Sequence, residues 1–305
     1  MASAYNSQNT QIIGCHGRKE VKLTAQAAPA AHRRTVSRDL GRRTIRDFGR
    51  QWQAFQSNDG YYASQDLLAD ILGPLLSPES LRGARVADVG SGTGRIVRML
   101  LEAGAAHVTA VEPSEAFEVL TRNLADEAER VEFLNTTGEG LPTDRDFDFV
   151  FSIGVLHHIP DPSPCVRAAL AALKPGGQLL IWVYGAEGNR AYFTLAKPLR
   201  AVTTRLPHGA LLALSTMLQP LLWLYILACK VLPLPLRRYM LGVLGKLSAK
   251  DRVLVIYDQL NPAHAKYYRK DEVRRLLEDA GFVNVRLHHR HGYSWTALAD
   301  KPAST

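Results

Sequence analysis

Apolar runs alternate with segments of helical periodicity between residues 81 and 185. The segments between the runs predict amphipathic helices, and the runs themselves predict strands: ARVADVG, HVTAVEP, VEFLNT, FDFVFSIG and QLLIWVYG. Strands that are apolar throughout and separated by helices are typical of a parallel sheet covered on both faces. We therefore expect an α/β core in this part of the chain.

The C-terminal part of the chain, residues 251–305, changes this pattern. DEVRRLLEDAG predicts a helix, and FVNVRLHHR and YSWTALADK predict two strands that only His291 and Gly292 separate. Strands joined so tightly are expected to pair in antiparallel fashion. The predicted fold class is α/β: a doubly wound, mostly parallel, seven-stranded Rossmann-like sheet with a C-terminal antiparallel hairpin and an inserted helical lid.

The lid is predicted from residues 186–250, an apolar helical insertion. Ala210 to Cys229 is a run of twenty residues without a charge, which is long enough to cross a membrane. A single span would separate the last strands from their sheet, and Arg237 with Arg238 would be costly in a second span. Buried lid helices are our first interpretation, helices resting on a membrane surface the second, and a true span the third.

Residues 41–80 predict a helical lead-in to the core. Apolar side chains recur at helical spacing behind a Thr44 cap, and a second helix is expected to begin after Ser64 and to end near Gly73. The core that follows, residues 81–185, is then the predicted cofactor-binding domain.

Positive charge is concentrated at the N-terminus. Residues 1–50 carry ten Lys or Arg against three Asp or Glu, whereas the remaining 255 residues carry 27 against 26. We expect residues 1–40 to be a flexible basic arm, and the same composition is also typical of an organellar transit peptide. The nearly neutral remainder argues against a large nucleic-acid-binding surface.

The three cysteines, Cys15, Cys165 and Cys229, lie far apart and form no CxxC pair. This spacing predicts neither a disulfide framework nor a metal site, and it favours the reducing cytoplasm. The first ten residues contain no apolar run, so we expect no secretory signal.

The stretch VADVGSGTG places three glycines directly after the first core strand. Gly90, Gly92 and Gly94 follow Asp88 in a DxGxGxG pattern and lead into a helix, whose free N–H groups favour a negatively charged group. Glu112 ends the next strand, where a carboxylate can accept hydrogen bonds from ribose hydroxyls. The pattern predicts a nucleoside-containing cofactor across the strand ends, and it departs from the dinucleotide fingerprint GxGxxG.

The DxGxGxG loop resembles the first motif of class I S-adenosylmethionine-dependent methyltransferases. FDFVFSIGVLHHIPDP resembles the fourth-strand motif of the small-molecule branch, which includes the ubiquinone and menaquinone methyltransferases. TTGEGLP resembles the segment beside the adenine, although Thr137 replaces the family's Asp, and LKPGGQLLI resembles the turn into the fifth strand. The resemblance implies an enzyme of this class with S-adenosyl-L-methionine as its cofactor.

The candidate cofactor-binding residues lie in these motifs. They are Asp88, Gly90, Ser91, Gly92, Gly94, Glu112, Pro113, Gly138, Glu139 and Ser152. His157 and His158 follow the fourth strand at the mouth where ligands of such sheets bind, and we list both as candidate catalytic bases. The alternative is that the two histidines only hold the loop.

Aromatic residues among polar ones suit a ring-shaped acceptor. Three segments outside the glycine motif have this character: the lead-in, the exit from the fifth strand and the segment before the last helix. The candidate acceptor-binding residues from these segments are Tyr62, Tyr184, Tyr192, Tyr257, Tyr268 and Arg269.

The sequence thus predicts a methyltransferase for a small, lipophilic acceptor, because the apolar insertion would shelter such a molecule. A quinone, polyketide or lipid-like acceptor, methylated on oxygen or carbon, and a peripheral contact with a membrane belong to this interpretation. The run SIGVLHH lacks the DPPY-like pattern of enzymes that methylate nucleobase amino groups, so no nucleic acid partner is expected. Two alternatives stay open: a protein or RNA methyltransferase that docks through the basic arm, and a non-catalytic nucleotide-cofactor-binding protein.

Overall fold

A seven-stranded sheet forms the centre of the computed structural model, which describes residues 30–303. Its strands are β1 (Arg85–Val89), β2 (His107–Val111), β3 (Val131–Leu134), β4 (Phe147–Ile153), β5 (Leu173–Tyr184), β6 (Val283–Arg290) and β7 (Ser294–Asp300). The spatial order is β3-β2-β1-β4-β5-β7-β6. The first five strands pair in parallel, and β7 pairs antiparallel with both β5 and β6. The predicted fold class is confirmed.

Helices precede, cover and interrupt this sheet. They are α1 (Ala30–Ala54), α2 (Gln65–Leu72), α3 (Arg95–Glu102), α4 (Phe117–Asn123), α5 (Ser163–Ala172), α6 (Arg190–Thr203), α7 (His208–Val231), α8 (Arg237–Tyr239), α9 (Ala249–Leu260) and α10 (Lys270–Glu278). The Ser64 side chain caps α2 by accepting a hydrogen bond from the Leu67 N–H, as the sequence predicted. A π-helical turn, Met240–Leu244, follows α8 directly.

Two apolar clusters pack on opposite faces of the sheet. Helices α2 and α3 contribute Leu68 and Leu100 to the first cluster. Helices α5 and α10 contribute Val166 and Leu277 to the second. Because both faces are covered, the central strands are apolar along their whole length, which is the pattern that made them recognisable.

The strand order reverses at β1, since β2 lies on one side of this strand and β4 on the other. In open α/β sheets such a switch point leaves a crevice beyond the carboxyl ends of the strands, where ligands bind. Gly90 follows β1 and Gly154 follows β4, and both adopt positive φ angles, of 81° and 83°. The glycine motif therefore lies at the crevice that the topology creates.

The lead-in differs from its prediction. Helix α1 begins at Ala30, well before Thr44, so residues 30–40 do not belong to a flexible arm. The hydrophobic pattern of the sequence did not reveal the part of α1 before Thr44, because its side chains are mostly polar or small. Residues 1–29, which make up most of the predicted arm, lie outside the described residues.

The segment between β5 and α10, residues 190–260, is called the insertion below. It is helical, as predicted, but it extends through α9, beyond the predicted boundary at residue 250. Helix α9 packs against α7 through Leu254 and Tyr257, which cluster with Leu211. The interpretation of α7 as a buried lid helix is wrong, because only 17% of its apolar stretch is buried.

Candidate active site

A large cleft lies at the carboxyl ends of β1, β2 and β4. Its volume is about 1010 Å³, at the upper end of the range of roughly 300–1,000 Å³ that is common for ligand sites. The glycine loop forms its floor, Glu112 and Glu139 lie along one side, and α1 lies across it with Phe48 and Trp52.

Glu112 connects the end of β2 to the glycine loop. One carboxylate oxygen accepts a hydrogen bond from the Gly92 N–H at 2.9 Å, and the other accepts one from the Ser114 N–H at 2.9 Å. Ser114 also donates its hydroxyl to the second oxygen. A carboxylate has about four lone-pair positions and three are occupied, so the oxygen bonded to Gly92 can accept one further hydrogen bond from a ligand hydroxyl.

The loop glycines leave no room for side chains. A Cβ atom at Gly90 would lie 2.5 Å from Cγ2 of Val155, and one at Gly92 would lie 3.2 Å from Nε1 of Trp52. Both residues also have positive φ angles, of 81° and 55°. The loop can turn this tightly under α1 because neither position carries a side chain.

A smaller cavity of about 160 Å³ adjoins the cleft. Phe48, Trp52, Arg95, Ile153 and Gly154 line both spaces, so they mark where the two meet. The other aromatic walls come from distant parts of the chain: Tyr62, Trp182, Tyr184, Tyr239 and Tyr293. The insertion closes the cavity with α9 and the π-helical turn.

Asp258 of α9 is the one carboxylate that lines this cavity. Its oxygens accept hydrogen bonds from Nε2 of Gln51 at 3.0 Å and from the Tyr184 hydroxyl at 2.7 Å. The Tyr184 hydroxyl in turn accepts a hydrogen bond from Nε2 of Gln259 at 2.6 Å. Burial and the neighbouring Asp258 charge raise the pKa of Tyr184 well above its usual value, so the phenol stays protonated and holds the carboxylate in place.

The two histidines after β4 have different surroundings. His158 lines the cleft, and its Nδ1 lies 2.8 Å from the carbonyl oxygen of His264, so Nδ1 carries the proton and donates it. Burial lowers the pKa of His158 to about 4. His157 is fully buried and lines neither space, and its ring packs 3.9 Å from the ring of Tyr184.

A family model described as a methyltransferase domain matches residues 61–287. The chain belongs to the methyltransferase family. The predictions of the family, of the enzyme class and of S-adenosylmethionine as the cofactor are thereby confirmed for this domain.

Curated relatives of the methyltransferase domain carry two kinds of name. The chain is 34% identical over 116 residues to the tRNA U34 carboxymethyltransferase of Idiomarina loihiensis, a match that covers 36% of each chain. It is 34% identical over 132 residues to the ubiquinone biosynthesis O-methyltransferase of Aromatoleum aromaticum, covering 42% of this chain and 56% of the relative. The matches thus span about a third to a half of the relatives' length.

Among solved structures, the 1,6-didemethyltoxoflavin-N1-methyltransferase of Burkholderia thailandensis matches with a TM-score of 0.49 and 18% identity. The match covers 91% of this chain and 92% of that chain.

The cleft of the methyltransferase domain fits S-adenosylmethionine by its own geometry. The glycine loop would hold the methionine end close to the backbone, since it forms the floor of the cleft and Gly90 and Gly92 carry no side chains. Glu112 would accept a hydrogen bond from a ribose hydroxyl with the lone pair that its contacts with Gly92 and Ser114 leave available. Gly138 and Glu139 line the far end of the cleft, where the adenine is expected.

Most predicted cofactor-binding residues come together in this cleft. Those that line it are Gly90, Ser91, Gly92, Glu112, Pro113, Gly138 and Glu139. Asp88, Gly94 and Ser152 do not line it. Asp88 is buried beneath the loop, where burial raises its pKa to about 7. Gly94 packs against Leu124, and the buried Ser152 hydroxyl has no hydrogen-bond partner.

Only some of the predicted acceptor-binding residues line the cavity. Tyr62 and Tyr184 line the cavity, and Tyr192 stands behind it with its hydroxyl 2.7 Å from Oε1 of Gln259. Tyr257, Tyr268 and Arg269 do not line the cavity. The Tyr257 hydroxyl contacts Nδ1 of His208. Tyr268 is buried in the second apolar cluster of the sheet, and Arg269 directly precedes α10.

His157 lies away from the cleft, and both of its ring nitrogens are buried without a hydrogen-bond partner. Residue typing alone did not single out Arg95 or Arg290 as cavity residues. A signal for Asp258 existed in the sequence. It lies four residues after Leu254, so it is a carboxylate on the apolar face of an amphipathic helix.

Proposed function

We propose that this methyltransferase transfers a methyl group from S-adenosylmethionine to a small, hydrophobic, ring-shaped acceptor that carries a hydroxyl group. The observation that carries the proposal is the aromatic cavity beside the cofactor cleft, with one carboxylate in its wall. An apolar cavity of about 150 Å³ is large enough for a benzene ring. The cavity of about 160 Å³ therefore matches a single aromatic ring.

S-adenosylmethionine supplies an activated methyl group on a sulfonium centre, so the protein mainly positions the acceptor and excludes water. Trp52 and Phe48 line both spaces and would hold the acceptor ring against the cleft. Asp258 would take the proton of the acceptor hydroxyl, because each of its oxygens keeps a free lone pair. His158 lines the cleft but not the acceptor cavity.

An RNA acceptor is the second candidate, and the name of one group of relatives favours it. Two features of this chain argue against it. The insertion forms part of the cavity wall with α9, which narrows the space to about 160 Å³, and the walls are aromatic and aliphatic apart from Arg95, Asp258, Gln259 and Arg290. A small acceptor is therefore the better match.

Methyl-labelled S-adenosylmethionine, incubated with the purified full chain and an extract of its native cells, tests the proposal. We expect label in the organic-soluble fraction. Asp258→Asn should lower this transfer about a hundredfold with unchanged cofactor affinity, while Asp59→Asn, an exposed control, should transfer normally. Label in RNA or protein instead of the organic phase would overturn the small-acceptor proposal.

A further inference from the structure

One face of α7 exposes large apolar side chains to solvent. Met217 is 74% exposed, Leu221 61%, Leu224 60% and Val231 81%. These positions recur at spacings of three, four and seven residues, so they lie on one side of the helix. In the part of the chain that the structure describes, α7 is also the one helix long and apolar enough to cross a membrane. An apolar stripe of this length on a surface indicates a binding partner.

The opposite face of α7 is already occupied. Leu211 packs with Leu254 and Tyr257 of α9, and Ile226 packs with Leu244 of the π-helical turn. These inner contacts anchor α7 to the insertion, and α9 in turn lines the acceptor cavity. Helix α7 is thus the outer layer of the lid, and its exposed stripe points away from the cavity.

The charge around this stripe has one sign. Residues 188–250 contain nine Lys or Arg and no Asp or Glu. Lys230, Arg237 and Arg238 are exposed at the C-terminal end of α7, and Arg205 is exposed just before its N-terminal end. Arg237 also donates hydrogen bonds to the last carbonyls of α7, at Cys229 and Lys230.

We propose that the outer face of α7 docks on a membrane surface that contains anionic lipids. An apolar stripe flanked by Lys and Arg is the composition of helices that lie in the interface, with the apolar side chains among the acyl chains and the cations at the headgroups. Leu199 and Val202 of α6 are exposed as well.

The other occupants fit less well. RNA would meet the basic residues but would gain nothing from Met217, Leu221 and Leu224. A second copy of the chain would cover the stripe, but it would bring two basic segments together, and residues 188–250 offer no acidic side chain to pair them. A lipid surface satisfies both the apolar stripe and the charge.

Docking through α7 would also place the lid of the acceptor cavity at the lipid surface. This consequence rests on the proposed hydrophobic acceptor, whereas the docking itself does not. If the acceptor proved to be water-soluble, vesicle binding would still be expected.

Co-sedimentation of the full chain with vesicles tests the docking. We expect strong binding to vesicles of phosphatidylcholine and phosphatidylglycerol and weak binding to phosphatidylcholine alone. Leu221→Gln combined with Leu224→Gln should weaken binding about tenfold or more. Val283→Gln removes an exposed apolar side chain of β6 and should leave binding unchanged. Cofactor affinity, measured in parallel, verifies that each variant is folded.

A second pair of variants tests the charge. Lys230→Gln combined with Arg238→Gln should remove most of the preference for anionic vesicles, and Arg82→Gln combined with Arg85→Gln, at exposed positions near β1, should not. The proposal is overturned if the protein ignores both kinds of vesicle. It is also overturned if the only effect of the leucine variant is to dissociate a dimer. The same holds if the basic residues bind RNA and the leucine substitutions change the binding of neither vesicles nor RNA.

Discussion

The cofactor cleft and the acceptor cavity share a wall, yet the chain builds them in different ways. The cleft takes its floor from the glycine loop after β1, where the backbone turns without side chains, and segments after β2 and β4 and helix α1 complete it. The cavity takes its walls from α1, β5, α9 and the final hairpin, and side chains make its shape. A backbone-built site restricts its residues to those the turn allows, whereas a side-chain-built site can change with each wall residue.

The cleft is the region with the largest expected response to one substitution. Gly90→Ala places a Cβ atom 2.5 Å from Val155 at a φ of 81°, so the loop must move. We expect cofactor affinity to fall several hundredfold, equivalent to about 3–4 kcal/mol, in calorimetric titrations. Gly176→Ala is the matched control, because its φ is 75° and no atom lies within 4 Å of the added Cβ. Normal affinity in Gly90→Ala would show that the loop does not contact the cofactor.

His158 provides a pH-dependent test of the cleft. Burial lowers its pKa from 6.5 to about 4, so the unfolded chain binds a proton that the folded protein does not. The free energy of unfolding should therefore be constant above pH 6.5 and fall by about 3 kcal/mol between pH 6.5 and 4 from this group alone.

Urea unfolding at a series of pH values, compared between the wild type and His158→Phe, isolates this contribution. Asp88 has a raised pKa and contributes with the opposite sign, but it is present in both proteins and cancels in the difference. Parallel pH profiles for the two proteins would mean that His158 is not buried as described.

Glu112 tests the contribution of the cleft to cofactor affinity. Glu112→Gln keeps the shape but replaces one acceptor oxygen by a donor, which opposes either the Gly92 N–H or the Ser114 N–H. We expect about a thirtyfold loss of cofactor affinity. Glu118→Gln, on the exposed side of α4, is the control and should bind normally.

Two tyrosines test the acceptor side with a smaller effect. Tyr184→Phe removes the hydroxyl that donates to Asp258, and we expect about a tenfold loss of methyl transfer. Tyr257→Phe removes only the contact with Nδ1 of His208, outside the cavity, and should change transfer by less than about twofold. Steady-state assays with saturating cofactor compare the two variants. A larger loss of transfer in Tyr257→Phe than in Tyr184→Phe would contradict the placement of the cavity.

The same difference explains which features the sequence could predict. The DxGxGxG loop, Glu112 and the strands around them are local patterns, so contiguous residues were sufficient to identify them. Tyr257 and Asp258 are adjacent in the chain but about 100° apart around α9, and only the packing of that helix determines which one enters the cavity.

Helix α7 shows the other limit of sequence-based prediction. Its composition is apolar nearly all round, so periodicity could not separate an inner face from an outer one. The structure shows which face of α7 is buried, because Leu211 and Ile226 pack inward while Leu221 and Leu224 remain exposed.

The most direct test measures cofactor affinity and methyl transfer in two variants side by side. Glu112→Gln should lose cofactor affinity and regain much of its transfer rate at high cofactor concentration. Asp258→Asn should keep cofactor affinity and lose transfer about a hundredfold at every cofactor concentration. If both variants instead lost cofactor affinity equally, or if Asp258→Asn transferred methyl groups normally, the assignment of separate cofactor and acceptor sites would be wrong.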